Sequence, residues 1–561
     1  MIRLFQTNDI RKVEELEGMW EFATMESGHA IPAAYPRRLP VPGCWENHPL
    51  YKTYRGAAAY RRRIQVKNGA TNLRFTFKGV SHTARVIWDG VQVASHYNAY
   101  TAFSAIVREV PAGEHELIVV ADNSFHEHSS LHQPNDYYSY GGITRPVVME
   151  EVPDVFLERL QFTPRRVEGE WVADVQAFVT NNGEATSRAK VHCELDGVYF
   201  ELEMGSVGGG QSTVLHGSAK IPGARPWSVS TPNLYALKAR LFLDDAVLPT
   251  DDLIERVGFR SLTTERGKIQ LNGEDIILKG FNRHEDHPMA GCALPLALMV
   301  HDLDLMEDMG ANTVRTSHYP NDERFLDLCD ERGILVWEEN HARGFSIEQM
   351  RHPKFVEQCE DVNREMVEQH ANHPSIIVWG ILNECASDCE EGRVHYIRQL
   401  DQIRSMDPSR PLTFASHHRD REMCFDLVDI VSFNLYPGWY GDEDPGELVD
   451  QARGWAETGG GAGKPIIMSE FGGDGYYGYR DASRVRGTEE RQADIIEANL
   501  AAYSARSYLS GMLIWQFSDC RVTEGTGWLL SRAGTQNSKG IVDRYRRPKL
   551  AYDVVKSYFR R

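Results

Sequence analysis

Two β-rich sandwiches followed by a (β/α)8 barrel is the architecture this sequence predicts, and three observations predict it. At 561 residues and 63.6 kDa the chain is too long for a single hydrophobic core. Its first half breaks into short alternating segments separated by turn residues, the pattern of packed antiparallel sheets. From about Thr264 onward, apolar strand candidates alternate with amphipathic helices through eight strands, the pattern of a parallel barrel. Domains at residues 1–153, 154–263 and 264–561 are expected.

From Met1 to about Pro153, the segments AAYRRRIQV, NLRFTFKGV, ARVIWDGVQVASH and HELIVVADN alternate apolar with polar or carry β-branched runs. Turns are expected at Lys67-Asn68-Gly69-Ala70, Asp89-Gly90 and Pro111-Ala112-Gly113. The domain ends in HQPNDYYSYGGITRP, too irregular for a strand and too aromatic for a linker. It reads either as a surface loop or as a loop that enters another domain's pocket carrying Asp136 or Tyr137. From about Asp154 to Thr263, WVADVQAFVTN, RAKVHCELDG, STVLHGSAKI and LYALKARLFLDD fit an immunoglobulin-like sandwich. No cluster of reactive side chains marks that stretch, so a spacer is expected.

In the barrel, the strand candidates are DIILKGFN, ANTVRTSH, GILVWEEN, SIIVWGILNE, PLTFAS, VDIVSFNLY, PIIMSEFG and GMLIWQFSD. Gly310 and Gly333 stand where two intervening helices should stop. SIIVWGILNE runs apolar from Ile376 to Trp379 and closes on Asn383 and Glu384, so its carboxylate should emerge at the C-terminal rim. The other strands end on a ring of unlike polar groups: Asn282 to Glu285, Arg315 with His318, Glu338 to Arg343, Ser416 with His417, Asn434 with Tyr436, Glu470 and Trp515. Taken singly each reads as a capped or satisfied polar group. Together they read as a site.

Composition narrows what that site can act on. A formal net charge of −19 argues against nucleic acid, because phosphates would go unneutralised. It does not exclude a small anionic substrate beside a few local cations. The start MIRLFQTNDIRKVEELEG lacks a secretory signal pattern, and no run is long enough to cross a bilayer. Nine cysteines at unpaired spacings suit reduced thiols, so a cytoplasmic protein is expected, and Cys385 with Cys389 lacks zinc-site spacing. No Gly-rich phosphate loop, nucleophile-elbow serine or metal-binding His pair is present.

Glu384 and Glu470, ending strands four and seven, face each other across the rim. Glycosidic bond cleavage needs such a pair, one protonated to release the leaving oxygen and one ionised toward the sugar carbon. Glu338 and Glu339 are rivals that suit a buried ion-pair role equally well. Asn383 is placed to bond a sugar hydroxyl and Trp515 to stack on a sugar face.

GFNRHEDHP, NTVRTSHYP, NHPSIIVWGILNE and IIMSEFGG closely resemble the motifs of glycoside hydrolase family 2, over essentially the whole chain. The resemblance implies a sugar-binding-like jelly roll, an immunoglobulin-like sandwich and a catalytic barrel. It also implies a retaining exo-acting double displacement, with Glu384 as acid/base and Glu470 as nucleophile, and no cofactor. Some members bind magnesium or sodium, but no residue set here argues for a metal. Members are often oligomers, so a homo-oligomer is expected.

Asn537-Ser538-Lys539 looks like the Asn-x-Lys element with which the family's β-glucuronidases hold a sugar carboxylate, and an ammonium with an amide donor suits that group. FNLYPGWY similarly implies Tyr436 and Tyr440 at the pocket, GFNRHEDHP implies His284, and DYYSYGGI implies Asp136 on a sugar hydroxyl. WEENHARG departs from the best-known bacterial glucuronidases by adding His341 and Arg343 near the rim. A cation there can bind the carboxylate or an axial hydroxyl at carbon four, which keeps β-galacturonidase as the runner-up to β-glucuronidase, the expected activity. Between Asn340 and His373 there is room for little besides one helix, so a mouth open to bulky or oligosaccharide aglycones is expected. A neutral-sugar β-galactosidase, with Lys539 a mere loop cation, is the third reading. A sugar-binding protein on a dead barrel is disfavoured, because both carboxylates and Asn383 are present.

Overall fold

The computed structural model describes residues 2–25, 30–69, 71–244, 246–525 and 527–561. Its N-terminal part packs a four-stranded antiparallel sheet (Lys12–Glu15, Val147–Val152, Thr71–Phe77, Phe103–Val110) on a six-stranded one (Arg37–Val41, Gly18–Thr24, Ala57–Val66, Gly113–Asp122, Thr83–Trp88, Val91–Tyr97), a jelly roll. Successive strand residues point to opposite faces, so one face of each sheet meets in a core of Trp20, Phe22, Tyr60, Phe75 and Phe77. At the expected Asp89-Gly90 turn both residues take positive φ, 47° and 82°, the twist a tight hairpin requires. Ala70, in the first expected turn, lies outside the described residues.

The second sandwich sets Val155–Val167, Glu170–Asn181 and Ser212–Lys220 against a sheet built on Ser187–Leu195, Tyr235–Leu243 and Asp251–Val257. Phe162, Trp171, Val191, Leu237 and Phe259 fill the space between them.

The barrel strands are Leu278–Asn282, Thr313–Thr316, Leu335–Glu339, Ile376–Gly380, 412–416, Val431–Asn434, Ile466–Glu470 and Leu509–Ile514, all parallel, with the eighth bonded back to the first. The fifth is broken at Phe414: Leu412–Thr413 pairs with the fourth strand and Ala415–Ser416 with the sixth. Its connection carries two short 3-10 turns, Arg419–Arg421 and Phe425–Leu427, in place of the helix that strict alternation predicts. Helices Leu296–Met309 and Glu323–Arg332 stop at Gly310 and Gly333, whose φ of 87° and 71° are open to glycine without penalty. Between Asn340 and His373 lie a one-turn helix, Ile347–Met350, and the longer Phe355–His370. Among the described residues no helix is long and apolar enough to cross a membrane.

Strand register aligns the rim. Asn282 sits beside Arg315, Thr316 beside Glu338, and Asn434 beside Glu470. Polar residues at matching strand ends therefore converge at one face of the barrel.

Candidate active site

Arg315, fully buried at the end of the second strand, organises that face. Its five N–H groups meet five acceptors: both oxygens of Glu339 (2.9 and 2.8 Å), Asn282 Oδ1 (3.0 Å), Glu470 Oε1 (2.9 Å) and Asn383 Oδ1 (2.7 Å). A planar guanidinium with every donor used cannot rotate, so it fixes Glu470 and Asn383 relative to each other. Tyr436 donates to the other Glu470 oxygen at 2.6 Å. Glu470 is thus gripped from two sides at the end of the seventh strand.

Glu384 is reached by a tight turn. Leu382 and Glu384 both have positive φ, 45° and 53°, unusual for residues with a Cβ. Three bonds hold that backbone: Tyr396 donates to the Leu382 carbonyl (2.9 Å), Leu382 N–H to Asn340 Oδ1 (3.2 Å) and Glu384 N–H to the Ala415 carbonyl (2.9 Å). The turn aims the carboxylate at Asn434, whose amide donates to Oε1 at 3.0 Å. Arg343 and His417 stand 3.7 Å from it.

The two carboxylates influence each other's charge. Burial and the facing Glu384 push Glu470 up to about 7, against Arg315. Glu384 is held below the usual range: burial opposes this, but Arg343 and His417 outweigh it. Direct contacts act the other way, since Glu470 takes two short donated bonds while the cations of Glu384 keep their distance. The two therefore titrate as a coupled pair, which keeps its last proton to about 7. The rival carboxylates are tied into the scaffold. Glu338 is bonded by the Asn321 N–H (3.0 Å) and His370 (2.8 Å), and Glu339 by Arg315 and His318.

The loop that precedes the first sandwich's last strand, Val147–Val152, enters the barrel mouth. Tyr137 stacks on His284 at 5.0 Å, Asn135 accepts from Arg343 at 2.7 Å, and Tyr140 donates to Asp286 at 2.7 Å. Asp136 is buried and takes bonds from Asn537 Nδ2 (2.8 Å) and Arg532 Nε (2.7 Å). Lys539 is 1% exposed, donates to Asp474 at 3.2 Å and lies over the rings of Trp439 and Tyr440 at 5.1 and 5.3 Å. It is no solvated loop lysine.

One expectation needs correcting, and two others acquire partners within the chain. His341 does not add a rim cation: it is buried against His132 and Tyr100, and burial drops it to about 3, leaving it neutral. Arg343 alone reaches the site. Trp515 already stacks on His318 (5.0 Å, 18°) and meets His284 edge-on, so one of its faces is taken. Asp136, expected on a sugar hydroxyl, is committed to Asn537 and Arg532. Arg532, Asp474 and Trp528 were not anticipated. Arg532 shortly precedes Asn537 and Asp474 shortly follows Glu470 in sequence, but their roles depend on contacts with the distant Asp136 and Lys539.

Asn383 Nδ2, His284 Nε2, His318 Nε2, Trp439 Nε1 and Arg343 Nε are buried without a hydrogen-bond partner in the chain. Buried polar groups are ordinarily paired, so these atoms have bonding capacity left for water or a ligand. Among the described residues, Asp327, Asp330 and His373 have metal-ligand spacing, but they lie away from this face and Arg3 chelates Asp327 at 2.9 to 3.3 Å.

A barrel whose rim sets two mutually coupled glutamates among hydroxyl-binding groups defines a glycoside hydrolase. Residues 262–561 match the model of the glycosyl hydrolases family 2 TIM barrel domain, and residues 155–260 match a further glycosyl hydrolases family 2 model. The chain belongs to glycoside hydrolase family 2. It is 28% identical to a β-glucuronidase of Paenibacillus borealis, over 98% of this chain and 96% of that protein. The crystal structure of a family 2 β-galacturonidase from Eisenbergiella tayi bound to galacturonate is 46% identical with a TM-score of 0.95, covering 100% of this chain and 99% of that one. The β-D-glucuronidase of Dictyoglomus thermophilum is 25% identical with a TM-score of 0.84, covering 99% and 98%.

Proposed function

We propose that the enzyme is a retaining β-hexuronidase that removes a terminal β-linked uronic acid and prefers galacturonide. The observation that carries the uronide reading is a pair of buried cations, Lys539 and Arg343, at this end of the barrel. Lys539 is sealed from solvent with Asn537 beside it, and Arg343 stands 3.7 Å from Glu384. A uronate carboxylate offers these cations a charge-assisted bond that a neutral sugar lacks. The preference for galacturonide rests on the closer similarity to the Eisenbergiella tayi enzyme and on Arg343, a cation suited to an axial hydroxyl at carbon four as well as to the carboxylate.

In this reading Glu384 donates its proton to the glycosidic oxygen as Glu470 attacks the anomeric carbon, forming a glycosyl ester and freeing the aglycone. Glu384, now ionised, takes a proton from water, and the water attacks the same carbon to restore Glu470. Arg315 and Tyr436 hold the nucleophile in line, and Asn383 offers its free amide N–H to the neighbouring hydroxyl.

β-Glucuronidase is the second reading, favoured by the names of the curated relatives and by Asn537-Ser538-Lys539. Hydrolysis of paired aryl β-galacturonide, β-glucuronide and β-galactoside separates the two. The expected order of kcat/KM is galacturonide, glucuronide, galactoside. Best activity on the galactoside would falsify the uronide reading, and glucuronide ahead of galacturonide would select the second. Lys539→Ala should cost about two orders of magnitude on uronides, the scale of a lost charge-assisted bond in a closed site, while the protein remains folded.

A further inference from the structure

Two thiols from different domains meet behind the loop that enters the barrel. Cys44 Sγ, in the first sandwich, lies 3.6 Å from Cys292 Sγ, and the two are 248 positions apart in sequence. Cys292 belongs to the barrel's first strand-to-helix connection, between Asn282 and Leu296. The thiols of Cys385, Cys424 and Cys520 instead donate to backbone carbonyls at 3.5 to 3.7 Å.

The approach is built into the backbone. Gly291, next to Cys292, has a φ of 60°, and a Cβ there would lie 2.8 Å from Cys44 Sγ and 3.1 Å from Cys44 Cβ. Any larger residue would push Cys44 away, so glycine is what admits it. Tyr138 and Tyr140 of the entering loop pack with both cysteines. On either side of Cys44, the Gly43 N–H donates to the Ile143 carbonyl (2.8 Å) and the Trp45 N–H to the Gly141 carbonyl (3.1 Å). Tyr140 in turn bonds Asp286, on the same barrel connection as Cys292. The two thiols therefore bracket the segment that carries Asn135 and Asp136 to the site.

We propose that Cys44 and Cys292 are a modification site: on oxidation they form a disulfide that staples the first sandwich to the barrel beside the entering loop. The sulfurs must close from 3.6 Å to about 2 Å, a movement that side-chain rotation supplies. The oxidant is a small disulfide such as oxidised glutathione. Cys292, the more exposed of the two, attacks it as the thiolate and releases one glutathione thiolate. Cys44 then attacks the mixed disulfide at the Cys292 sulfur and releases the second. The two cysteine protons pass to the two leaving thiolates, so one disulfide is consumed and one is formed. Contact with Cys44 and burial push the Cys292 thiol up, which keeps its thiolate scarce and the exchange slow. Once made, the bond closes a loop of 248 positions in the unfolded chain, so folding loses less entropy.

The test holds the native enzyme for hours in excess oxidised glutathione, removes it, and compares the product with enzyme kept in dithiothreitol. Peptide mapping without reductant is expected to find Cys44 linked to Cys292, with free thiols falling by two per chain. The melting temperature should rise by a few degrees and activity should survive heating longer. At room temperature kcat/KM on the best aryl glycoside should be unchanged, because the reduced loop already occupies its place. Dithiothreitol should reverse each change. Cys292→Ser and Cys292→Ala should keep that activity and show neither the cross-link nor the shift. Absence of the linked peptide, a mixed disulfide that stays on Cys292, or a cross-link that leaves melting unaltered overturns the staple.

Discussion

At the residue scale, the site depends on two glutamates made unequal by their neighbours. Glu470 is clamped by Arg315 and Tyr436, whereas Glu384 faces the mouth with a side chain 16% exposed. A nucleophile needs fixed direction, and an acid/base needs access to water in the second step. Glu470→Gln is expected to lower kcat by about four orders of magnitude with the fold intact. Glu384→Gln should cost about 10²- to 10⁴-fold on poor leaving groups and far less on activated aryl uronides. The pH profile follows from their coupled titration. With Glu470 pushed up to about 7, the pair loses its last proton as pH rises through that region, so kcat/KM should be bell-shaped with its alkaline limb there. That limb should vanish in Glu384→Gln with an activated substrate. Its persistence would show that another group is the acid.

At the element scale, the fourth strand supports the arrangement through what it leaves out. A Cβ on Gly380 would lie 2.3 Å from Trp337 Nε1 and 2.8 Å from Glu339 Cβ. Trp337 lies under the Arg315 guanidinium at 4.6 Å, and Glu339 is that arginine's bidentate partner. Gly380→Ala should therefore push on both supports of Glu470. A loss of about 1–3 kcal/mol in urea unfolding is expected, the usual cost of overpacking, with a fall in kcat larger than any change in KM. Unaltered stability and activity would mean that the strand relaxes without disturbing Arg315. The loop at 132–146 belongs to the same scale. Its sequence left open whether it lay on the surface or in the barrel. Burial of Asn135 to Tyr140 and the bonds to Arg343, Asn537 and Asp286 decide for the barrel.

Across the whole molecule, the first sandwich is part of the active site, and its anchoring carries a pH signature. Glu46 is buried and accepts from Asn123 Nδ2 (3.1 Å) and the Gly141 N–H (3.0 Å), which fixes the base of the entering loop. Burial pushes its carboxyl up to about 8. The folded state then keeps a proton that the unfolded chain gives up in the usual carboxylate range. Its contribution to stability is full at acid pH and is lost as pH rises toward about 8. The melting temperature of the native protein should fall across that window, and Glu46→Gln should flatten the fall, matching the native protein near pH 5 and exceeding it near pH 8. Parallel curves would exclude Glu46 as the source.

The sequence by itself determined the barrel and the placing of two glutamates at its rim. Strand and helix periodicities differ, and in a parallel barrel every strand ends at the same rim, so a glutamate closing a buried strand is placed without knowledge of any distant contact. Asn383, Glu384, Arg315 and Glu470 were legible on that ground. What only the tertiary structure decided is which side chains meet from different loops and domains. Asp136 and Asn537 are separated by 401 positions yet share a hydrogen bond. Arg343 reaches Glu384 while His341, two residues earlier, turns into a buried aromatic cluster. Neighbours in a loop can point in opposite directions, and no periodicity records which way they turn. The two glutamates are placed along single strands; the contacts around them are made between loops that meet only after folding.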